Sequence, residues 1–335
     1  MQSRLVSILI PFKNTAHFLG ECLDSIQNQT YTDWEVLAVD DHSEDESFQF
    51  AKSFSRKDER IKVFKNDGIG IIPALRTAYQ HSSGEFITRM DSDDIMKPNR
   101  LQVMVESLQK SGKGYVAVGQ VHYFSDRGIS DGYDRYEKWL NELTSKGKNY
   151  SEIYKECVIP SPCWIVYRDD FEKCGAFRSD RYPEDYDLTF RFYERRLQVI
   201  PCSKVLHLWR DYDTRTSRTH EHYAQNYFLD IKLHYFLKLD YDPHRPLVVW
   251  GAGFKGKTIA KKLLNQNIDF TWLCDNPNKI DKKIYGQPMR HFSVLETLKN
   301  PQSIVTVANE EAQKEIVGYL TKLGQQPMDD YFFFC

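Results

Sequence analysis

The sequence has no long apolar run and almost no net charge. No stretch reaches the ~18 consecutive apolar residues that a membrane-spanning helix needs. The 45 Lys and Arg residues nearly balance the 47 Asp and Glu residues, which leaves a formal charge of −2. No overall field therefore favours nucleic acid or an anionic membrane surface, and we expect no nucleic-acid partner.

The cysteines show no pattern that indicates a set of disulfide bonds or a metal site. The seven cysteines are scattered, are odd in number, and show neither a CxxC motif nor a zinc-ligand spacing. With no signal peptide in view, this usage predicts reduced thiols in a cytoplasmic protein. Peripheral association with the inner face of the cell membrane stays open.

The order of apolar segments predicts an α/β fold. Short apolar runs at 5–11, 36–39, 61–64 and 86–90 alternate with amphipathic helical patterns. Such alternation indicates a mainly parallel sheet covered on both faces. Residues 122–150 show no clear period and predict a loop or helical insertion. The basic stretch 204–222 is assigned to neither a strand nor a helix.

An acidic cluster follows one of these strands directly. Asp91, Asp93 and Asp94 come after the apolar run that ends at Met90. Neighbouring carboxylates repel one another, and a divalent cation among them relieves the repulsion. A hard cation with open ligand positions suits a diphosphate. The alternative is a solvated turn that caps the helix starting at Pro98.

Other candidate residues also fall just after predicted strands. They are Pro11, Asp40, Asp41, Asn66 and Asp91. Ligands on open parallel sheets bind beyond the carboxyl ends of the strands. We therefore expect these residues to share one rim and to form one site.

These motifs, in this order and spacing, resemble family-2 glycosyltransferases of the GT-A fold. The resemblance covers roughly residues 4–215 and includes a later acidic segment, Glu184-Asp185-Tyr186-Asp187. It implies a GT-A-type nucleotide-sugar-binding domain with a central, mainly parallel sheet.

The resemblance implies that Asp91-Ser92-Asp93 is a DXD-type motif. Asp93 would be the principal ligand of Mn²⁺ or Mg²⁺ and Asp91 a second ligand, with the cation acting as a Lewis acid on the departing diphosphate. Asp94 either adds a ligand or caps the next helix. Arg89 either contacts phosphate or is a structural ion-pair partner.

Nucleotide recognition is implied at the ends of the first two strands. The resemblance assigns it to Pro11 and Asp41, and a carboxylate can accept from a pyrimidine N3–H, so we expect a UDP-sugar. Asn14 and Asn66 would add contacts. Arg210 stands in a Trp-Arg pair where the family often has Tyr-Arg, and it would contact the diphosphate.

The acidic pair Glu184-Asp185 supplies the remaining chemistry. The resemblance assigns the general base to Asp185, in a loop, and an orienting role to Glu184. The alternative is an acidic first turn of a helix that begins at Asp187, where negative charge is favourable anyway. The site would contain one base and no positioned nucleophile. This predicts direct displacement of the nucleoside diphosphate by the acceptor hydroxyl, with inversion at the anomeric carbon.

A second pattern begins after a Pro-flanked linker. We expect a glycosyltransferase domain at 1–240 and a small Rossmann-like βαβ domain at 247–335. Gly251, Gly253 and Gly256, followed by Asp275, fit the dinucleotide fingerprint. A scaffold or oligomerisation unit and a bound nucleotide are both compatible with this turn.

Three functions compete at this stage. The leading hypothesis is an inverting, metal-dependent transfer of a sugar from a nucleotide sugar to a glycan or lipid-linked acceptor in surface glycan biosynthesis. The rivals are a bifunctional or oxidoreductase-type nucleotide-sugar enzyme and a non-catalytic sugar-nucleotide binding subunit. The intact acidic motifs count against the last of these, and homo-oligomerisation through the second domain stays open.

Overall fold

A computed structural model describes residues 4–215 and 228–335. The described chain divides into two compact units. The first contains residues 4–149 and 158–215, and the second contains 150–157 and 228–335. No helix in these described ranges is both long enough and apolar enough to cross a membrane.

The first unit is built on an eight-stranded sheet among its described residues. Its strands are β1 Val6–Phe12, β2 Trp34–Asp40, β3 Ile61–Lys65, β4 Phe86–Arg89, β5 Ile95–Met96, β6 Tyr115–Phe124, β7 Trp164–Tyr167 and β8 Gln198–Arg210. Its helices are α1 Ala16–Gln27, α2 Ser47–Ser55, α3 Ile71–Gln80, α4 Arg100–Ser111, α5 Asp131–Lys146, α6 Arg168–Lys173 and α7 Glu184–Glu194. A 3-10 turn over Asn149–Glu152 follows α5.

The strand order is β3-β2-β1-β4-β7-β6-β8-β5. Strands β3, β2, β1 and β4 are parallel to one another, and β6 and β8 are also parallel. Strand β7 is antiparallel to both of its neighbours, and β5 is antiparallel to β8. The predicted α/β fold with a mainly parallel sheet is confirmed.

Burial explains why the central strands are apolar throughout. Every residue of β1 and β2 is buried, as expected for strands that helices cover on both faces. Helix α1 contributes one apolar stripe to this core, formed by Leu19, Cys22, Leu23 and Ile26.

One segment of the first unit agrees with a predicted alternative, the helical insertion, and another differs from the sequence-based expectation. Helix α5 occupies much of 122–150 and packs Leu140 into the core. Strand β8 begins before the basic stretch and runs through Arg210, although no strand was predicted there. Its pairing with β6 shifts register between Gly119 and Val121. Residues 216–222 of that stretch lie outside the described residues.

The second unit has its own sheet of six strands in its described part. They are β9 Leu247–Trp250, β10 Thr271–Cys274, β11 Lys283–Ile284, β12 Gln287–His291, β13 Gln302–Val305 and β14 Tyr331–Phe333, in the order β11-β12-β10-β9-β13-β14. Its α-helices are α8 Leu229–Leu239, α9 Phe254–Asn265 and α10 Glu310–Lys322, and a 3-10 helix spans Phe292–Thr297.

The limits of this unit differ from the predicted domain boundary. Helix α8 was assigned to the first domain, but Phe236 packs edge-on against Phe332, with ring centroids 5.0 Å apart. The short segment 150–157 also belongs to the second unit, because the Tyr154 ring stacks on Phe334 at 5.3 Å.

Candidate active site

The first candidate residues lie at one edge of the large sheet. Strands β1, β2, β3 and β4 are parallel and in close register, with Phe12 beside Asp40 and Asp40 beside Lys65. Their carboxyl ends therefore meet at the same edge. The sequence segments that follow them carry Asp41, Asn66 and Asp91 to this edge.

Asp41 is the centre of a buried hydrogen-bond network. Its side chain is 7% exposed, and Oδ1 accepts from Asn66 Nδ2 at 2.7 Å and from the Gly70 amide at 2.9 Å. No hydrogen bond from the described chain reaches Oδ2. Asp41 therefore keeps one carboxylate oxygen to accept a hydrogen bond from a ligand.

Asn66 has a different role from the one expected of a ligand contact. Its Nδ2 also donates to the Gly70 carbonyl at 3.2 Å, and its Oδ1 accepts from the Gly68 amide at 3.1 Å. Both amide hydrogens are therefore engaged within the protein. Asn66 holds Asp41 and the 68–70 loop in place, so its predicted contribution to binding is indirect.

Pro11 and Asn14 lie at the end of β1 and just beyond it. Pro11 is buried within the strand, whereas Asn14 is exposed and has a φ of 52°. Asn14 Oδ1 accepts from the Glu44 amide at 2.8 Å, and the Asn14 amide donates to Ser43 Oγ at 3.0 Å. Asn14 thus ties the loop after β1 to the loop after β2.

The three carboxylates of the acidic cluster have different partners. Asp91 Oδ1 accepts from Arg89 Nε and Nη2 at 3.1 and 2.9 Å, and Asp93 Oδ2 accepts from the Tyr212 hydroxyl at 2.8 Å. Within the described residues, Asp91 Oδ2 and Asp93 Oδ1 accept no hydrogen bond. These two oxygens are the ones that a cation can use.

Asp94 is engaged entirely within the protein. Its Oδ1 accepts from the Arg210 amide at 2.8 Å, and its Oδ2 lies 2.9 Å from His207 Nε2. The side chain is fully buried, and the next helix begins only at Arg100. Asp94 therefore neither caps that helix nor offers a free oxygen as a ligand, in contrast to both sequence-based expectations.

A buried arginine fixes the protonation of His207. Arg100 Nη1 lies 3.0 Å from His207 Nδ1, and a guanidinium can only donate. Nδ1 is therefore the acceptor, and Nε2 carries the hydrogen that is donated to Asp94. Burial and the Arg100 charge hold the pKa of His207 well below its usual value, so the imidazole is neutral.

The electrostatics of the acidic cluster favour a cation. Burial and the neighbouring Asp94 charge raise the pKa of Asp93 to about 7, and burial with the Asp91 charge also raises the pKa of Asp94. Both anions are therefore costly without a counter-charge.

The donor set fits a cation that is shared with a substrate. No group of three or more His, Cys, Asp or Glu side chains in the described ranges is arranged to hold a metal ion. Mg²⁺ commonly binds through one or two carboxylates together with substrate phosphates. Asp93 and Asp91 fit this second arrangement, in which a diphosphate completes the coordination.

Glu184 and Asp185 lie in the first turn of α7 rather than in a preceding loop. The helix begins directly after Pro183, three residues earlier than predicted, because proline is compatible with a helix start. Glu184 Oε1 accepts from Arg89 Nη1 at 2.8 Å, while its buried Oε2 has no partner among the described residues.

Asp185 is less acidic than an ordinary aspartate. Removal from water and the negative charge of Glu184 raise its pKa, although Arg89 and the Tyr186 amide, which donates to Oδ1 at 2.8 Å, act in the opposite direction. Asp185 is only partly buried and stays accessible to a ligand. A raised pKa in an accessible carboxylate is typical of a general base.

Arg210 lies next to the acidic cluster. Its Nε donates to the Asp93 carbonyl at 2.7 Å, and its guanidinium lies over the rings of Phe18 and Phe124 at 4.8 and 4.5 Å. Nη2 pairs with Glu21. This position is compatible with the predicted diphosphate contact, which stays a prediction.

Several residues of this site gave no signal in the sequence. Arg100, His207 and Tyr212 each contact a member of the acidic cluster or its partner, and the Arg89–Glu184 pair joins positions 95 residues apart. An arginine in a predicted strand or helix, or a histidine in an unassigned basic stretch, does not indicate its distant partner.

The glycine turn of the second unit is explained largely by internal contacts. Gly251 has a φ of 116°, and a Cβ there would lie 2.6 Å from Thr306 Oγ1. A Cβ on Gly256 would lie 2.1 Å from the Gly251 carbonyl oxygen. Gly253 has open space around it. Close contacts with Thr306 and within the turn therefore account for Gly251 and Gly256 without a bound nucleotide.

Comparisons of sequence and of structure both match this chain to known proteins. Residues 7–175 match the sequence model of the family described as Glycosyl transferase family 2. The glycosyltransferase GlyG of Streptococcus pneumoniae serotype 4 is 34% identical over 220 residues, which span 62% of this chain and 71% of GlyG.

Two further proteins are similar over part or most of the chain. UDP-Glc:alpha-D-GlcNAc-diphosphoundecaprenol beta-1,3-glucosyltransferase WfgD of Escherichia coli is 36% identical over 167 residues, which span 48% of this chain and 58% of WfgD. The mannosyltransferase PcManGT of Pyrobaculum calidifontis, solved with GDP-Man and Mn²⁺, matches 79% of this chain and 75% of that one, with a TM-score of 0.52 and 19% identity. The structural match shows a shared fold.

Proposed function

The chain belongs to glycosyl transferase family 2, and from this premise we propose which donor it uses and how it transfers the sugar. The donor is a nucleotide sugar, with uridine as the nucleoside. The acceptor is a hydroxyl group of a glycan or a lipid-linked glycan. The transfer inverts the anomeric carbon and depends on Mn²⁺ or Mg²⁺.

One observation carries this proposal. The acidic cluster and the Glu184-Asp185 pair lie at opposite ends of a single guanidinium, that of Arg89. A cation site for a diphosphate and a candidate general base are thus held next to each other, which is what a direct displacement requires.

The donor side of the proposal rests on Asp41. Its free Oδ2 can accept the N3–H of a uracil ring, and the buried network around Oδ1 fixes its orientation. The similarity to WfgD, whose name specifies UDP-Glc and a diphosphoundecaprenol acceptor, supports uridine and a lipid-linked acceptor.

Asp93 and Asp91 would hold the cation. When bound, Mn²⁺ or Mg²⁺ supplies positive charge to the departing diphosphate oxygens. Arg210 adds a fixed positive charge beside Asp93. Tyr212 orients the Asp93 carboxylate through the bond to Oδ2.

Asp185 would remove the acceptor proton. Its raised pKa, about 7, makes the carboxylate a stronger base than an ordinary aspartate, and the group is mostly ionised above that pH. With the base on one side and no second carboxylate assigned as a nucleophile among the described residues, the displacement takes place in one step. An α-linked donor then gives a β-linked product.

The test is release of UDP from UDP-glucose and UDP-N-acetylglucosamine, with GDP-mannose for comparison. Each donor is incubated with Mn²⁺ or with a chelator, and with free or lipid-linked glycan acceptors. We expect acceptor-stimulated UDP release in Mn²⁺ only. Equal release in excess chelator would contradict metal dependence, and release from GDP-mannose alone would contradict the uridine assignment.

A further inference from the structure

We propose that Arg89 is a positioning residue that sets the spacing between the cation-binding and proton-accepting parts of the active site. Its Nε and Nη2 donate to Asp91 Oδ1 at 3.1 and 2.9 Å, and its Nη1 donates to Glu184 Oε1 at 2.8 Å. One rigid, planar group thus joins the end of β4 to the first turn of α7. The inference rests on the proposed function.

Burial makes this link specific. The side chains of Arg89 and Glu184 are 7% and 5% exposed, so little of the guanidinium can reach a phosphate. This argues against the direct phosphate contact that was one sequence-based alternative. A lysine has one ammonium and no planar fork, so it cannot make the same three contacts at once.

The pairing is also necessary for Glu184. Its Oε2 is buried without a partner in the described part of the chain, so Arg89 supplies the counter-charge to this carboxylate. Without Arg89, a buried anion would be left unpaired at the helix start that carries Asp185. Such a group either takes up a proton or moves towards water.

The charge of Arg89 also acts on Asp185. The charged groups that act most strongly on Asp185 are Glu184 on its own helix and Arg89 and Asp91 at the end of β4. The two carboxylates raise the pKa of Asp185, and Arg89 lowers it. Loss of Arg89 should therefore shift the acid limb of the rate profile to higher pH.

The experiment compares Arg89→Gln, Arg89→Lys, Glu184→Gln and the double variant Arg89→Gln/Glu184→Gln in the full chain. Turnover of UDP-sugar is measured at saturating donor across pH, and UDP affinity is measured by calorimetry in Mn²⁺. Arg60→Gln is the matched control, because Arg60 makes a similar two-point contact with Asp58 just before β3, away from the carboxyl edge.

We expect Arg89→Gln to lower turnover by about 10²-fold, the usual effect of a displaced reacting group, with the acid limb moved to higher pH. Compared with Arg89→Gln, Arg89→Lys should move the acid limb of the pH–rate profile part of the way back to its wild-type position, because it keeps the positive charge. Its turnover should stay low. The double variant should be no slower than Arg89→Gln alone, because both changes remove the same link. Arg60→Gln should match the wild type.

Two results would overturn the inference. One is wild-type turnover and pH profile in Arg89→Gln; the other is loss of UDP affinity alone, which would assign Arg89 to phosphate binding. If Arg89→Gln does not fold, Glu184→Gln and Arg89→Lys decide the same question through turnover and pH profile. A wild-type chain that transfers from no nucleotide sugar would refute the proposed function itself, whereas variants indistinguishable from an active wild type would refute only this inference.

Discussion

Replacing Asp41 should weaken nucleotide binding in two separable ways. Asp41→Ala removes the free Oδ2, whose charge-assisted hydrogen bond to a uracil N–H is worth roughly 1.5–3 kcal/mol. It also removes the acceptor for the Gly70 amide and Asn66 Nδ2, which adds about 1 kcal/mol through a less ordered 68–70 loop. The sum of about 2.5–4 kcal/mol corresponds to a roughly 60- to 700-fold weaker affinity for UDP.

Asn66→Ala separates the two contributions. It loosens the same loop but leaves Asp41 Oδ2 in place, so the expected loss is about 1 kcal/mol, or roughly 5-fold. Calorimetric titration of UDP in excess Mn²⁺ measures both variants, with melting temperatures to establish folding. Asp58→Ala removes a carboxylate that pairs with Arg60 away from the carboxyl edge and is the control.

The ordering of the two losses is the decisive result. Unchanged affinity in Asp41→Ala would remove Asp41 from the site. A loss in Asn66→Ala as large as that in Asp41→Ala would show that Asn66 contacts the nucleotide directly, and the inference drawn from its internal hydrogen bonds would be wrong.

Three further predictions concern the acidic residues and their support. Asp93→Ala should abolish the rise in melting temperature that Mn²⁺ and UDP produce together, and an undiminished rise would exclude Asp93 as a ligand. Asp185→Asn should keep UDP affinity but lower turnover by about 10²–10⁴-fold. It should also remove the acid limb of the pH–rate profile. In the wild type this limb lies at a higher pH than an ordinary aspartate would give, because the pKa of Asp185 is raised. His207→Ala should cost roughly 2–6 kcal/mol in urea unfolding, because it leaves two buried atoms, Asp94 Oδ2 and Arg100 Nη1, without their hydrogen bond to the imidazole; a loss under 1 kcal/mol would show that these two atoms are readily hydrated.

The carboxyl-edge site was predictable because it depends on local patterns. Each strand that ends in a candidate residue is a short apolar run, and parallel strands with covering helices place those ends together. The positions of Asp41, Asn66 and Asp91 follow from this rule alone. The rule does not say which of these side chains points at a ligand, and Asn66 turned out to be engaged within the protein.

Strand β8 was missed because its burial pattern is irregular. Its first half is largely exposed, it contains Pro201 and Lys204, and its register against β6 shifts partway. Strand β8 is stabilised by parallel pairing with β6, which lies far away in the sequence. The local pattern of apolar residues gives no sign of such a distant pairing. His207, the partner of Asp94 on β8, was missed for the same reason.

The hydrogen bond between Asp94 and His207 could not be predicted from the sequence, because the two residues are 113 positions apart. In the sequence Asp94 is simply a third acidic residue in a turn, and nothing there indicates that it is fully buried and bonded to a neutral imidazole. The start of α7 was misplaced because its N-cap residue is Pro183 rather than one of the Ser, Thr, Asp or Asn residues that usually mark a helix start.

The most direct test of the account is the melting temperature of the full chain with UDP, with Mn²⁺, and with both. If Asp91 and Asp93 share a cation with the diphosphate, UDP and Mn²⁺ together should raise the melting temperature by more than the sum of their separate effects. A chelator should then remove the added increase. Equal stabilisation by UDP with and without the chelator, or no stabilisation by any nucleoside diphosphate, would contradict the assignment of this edge of the sheet as a metal-dependent nucleotide-sugar site.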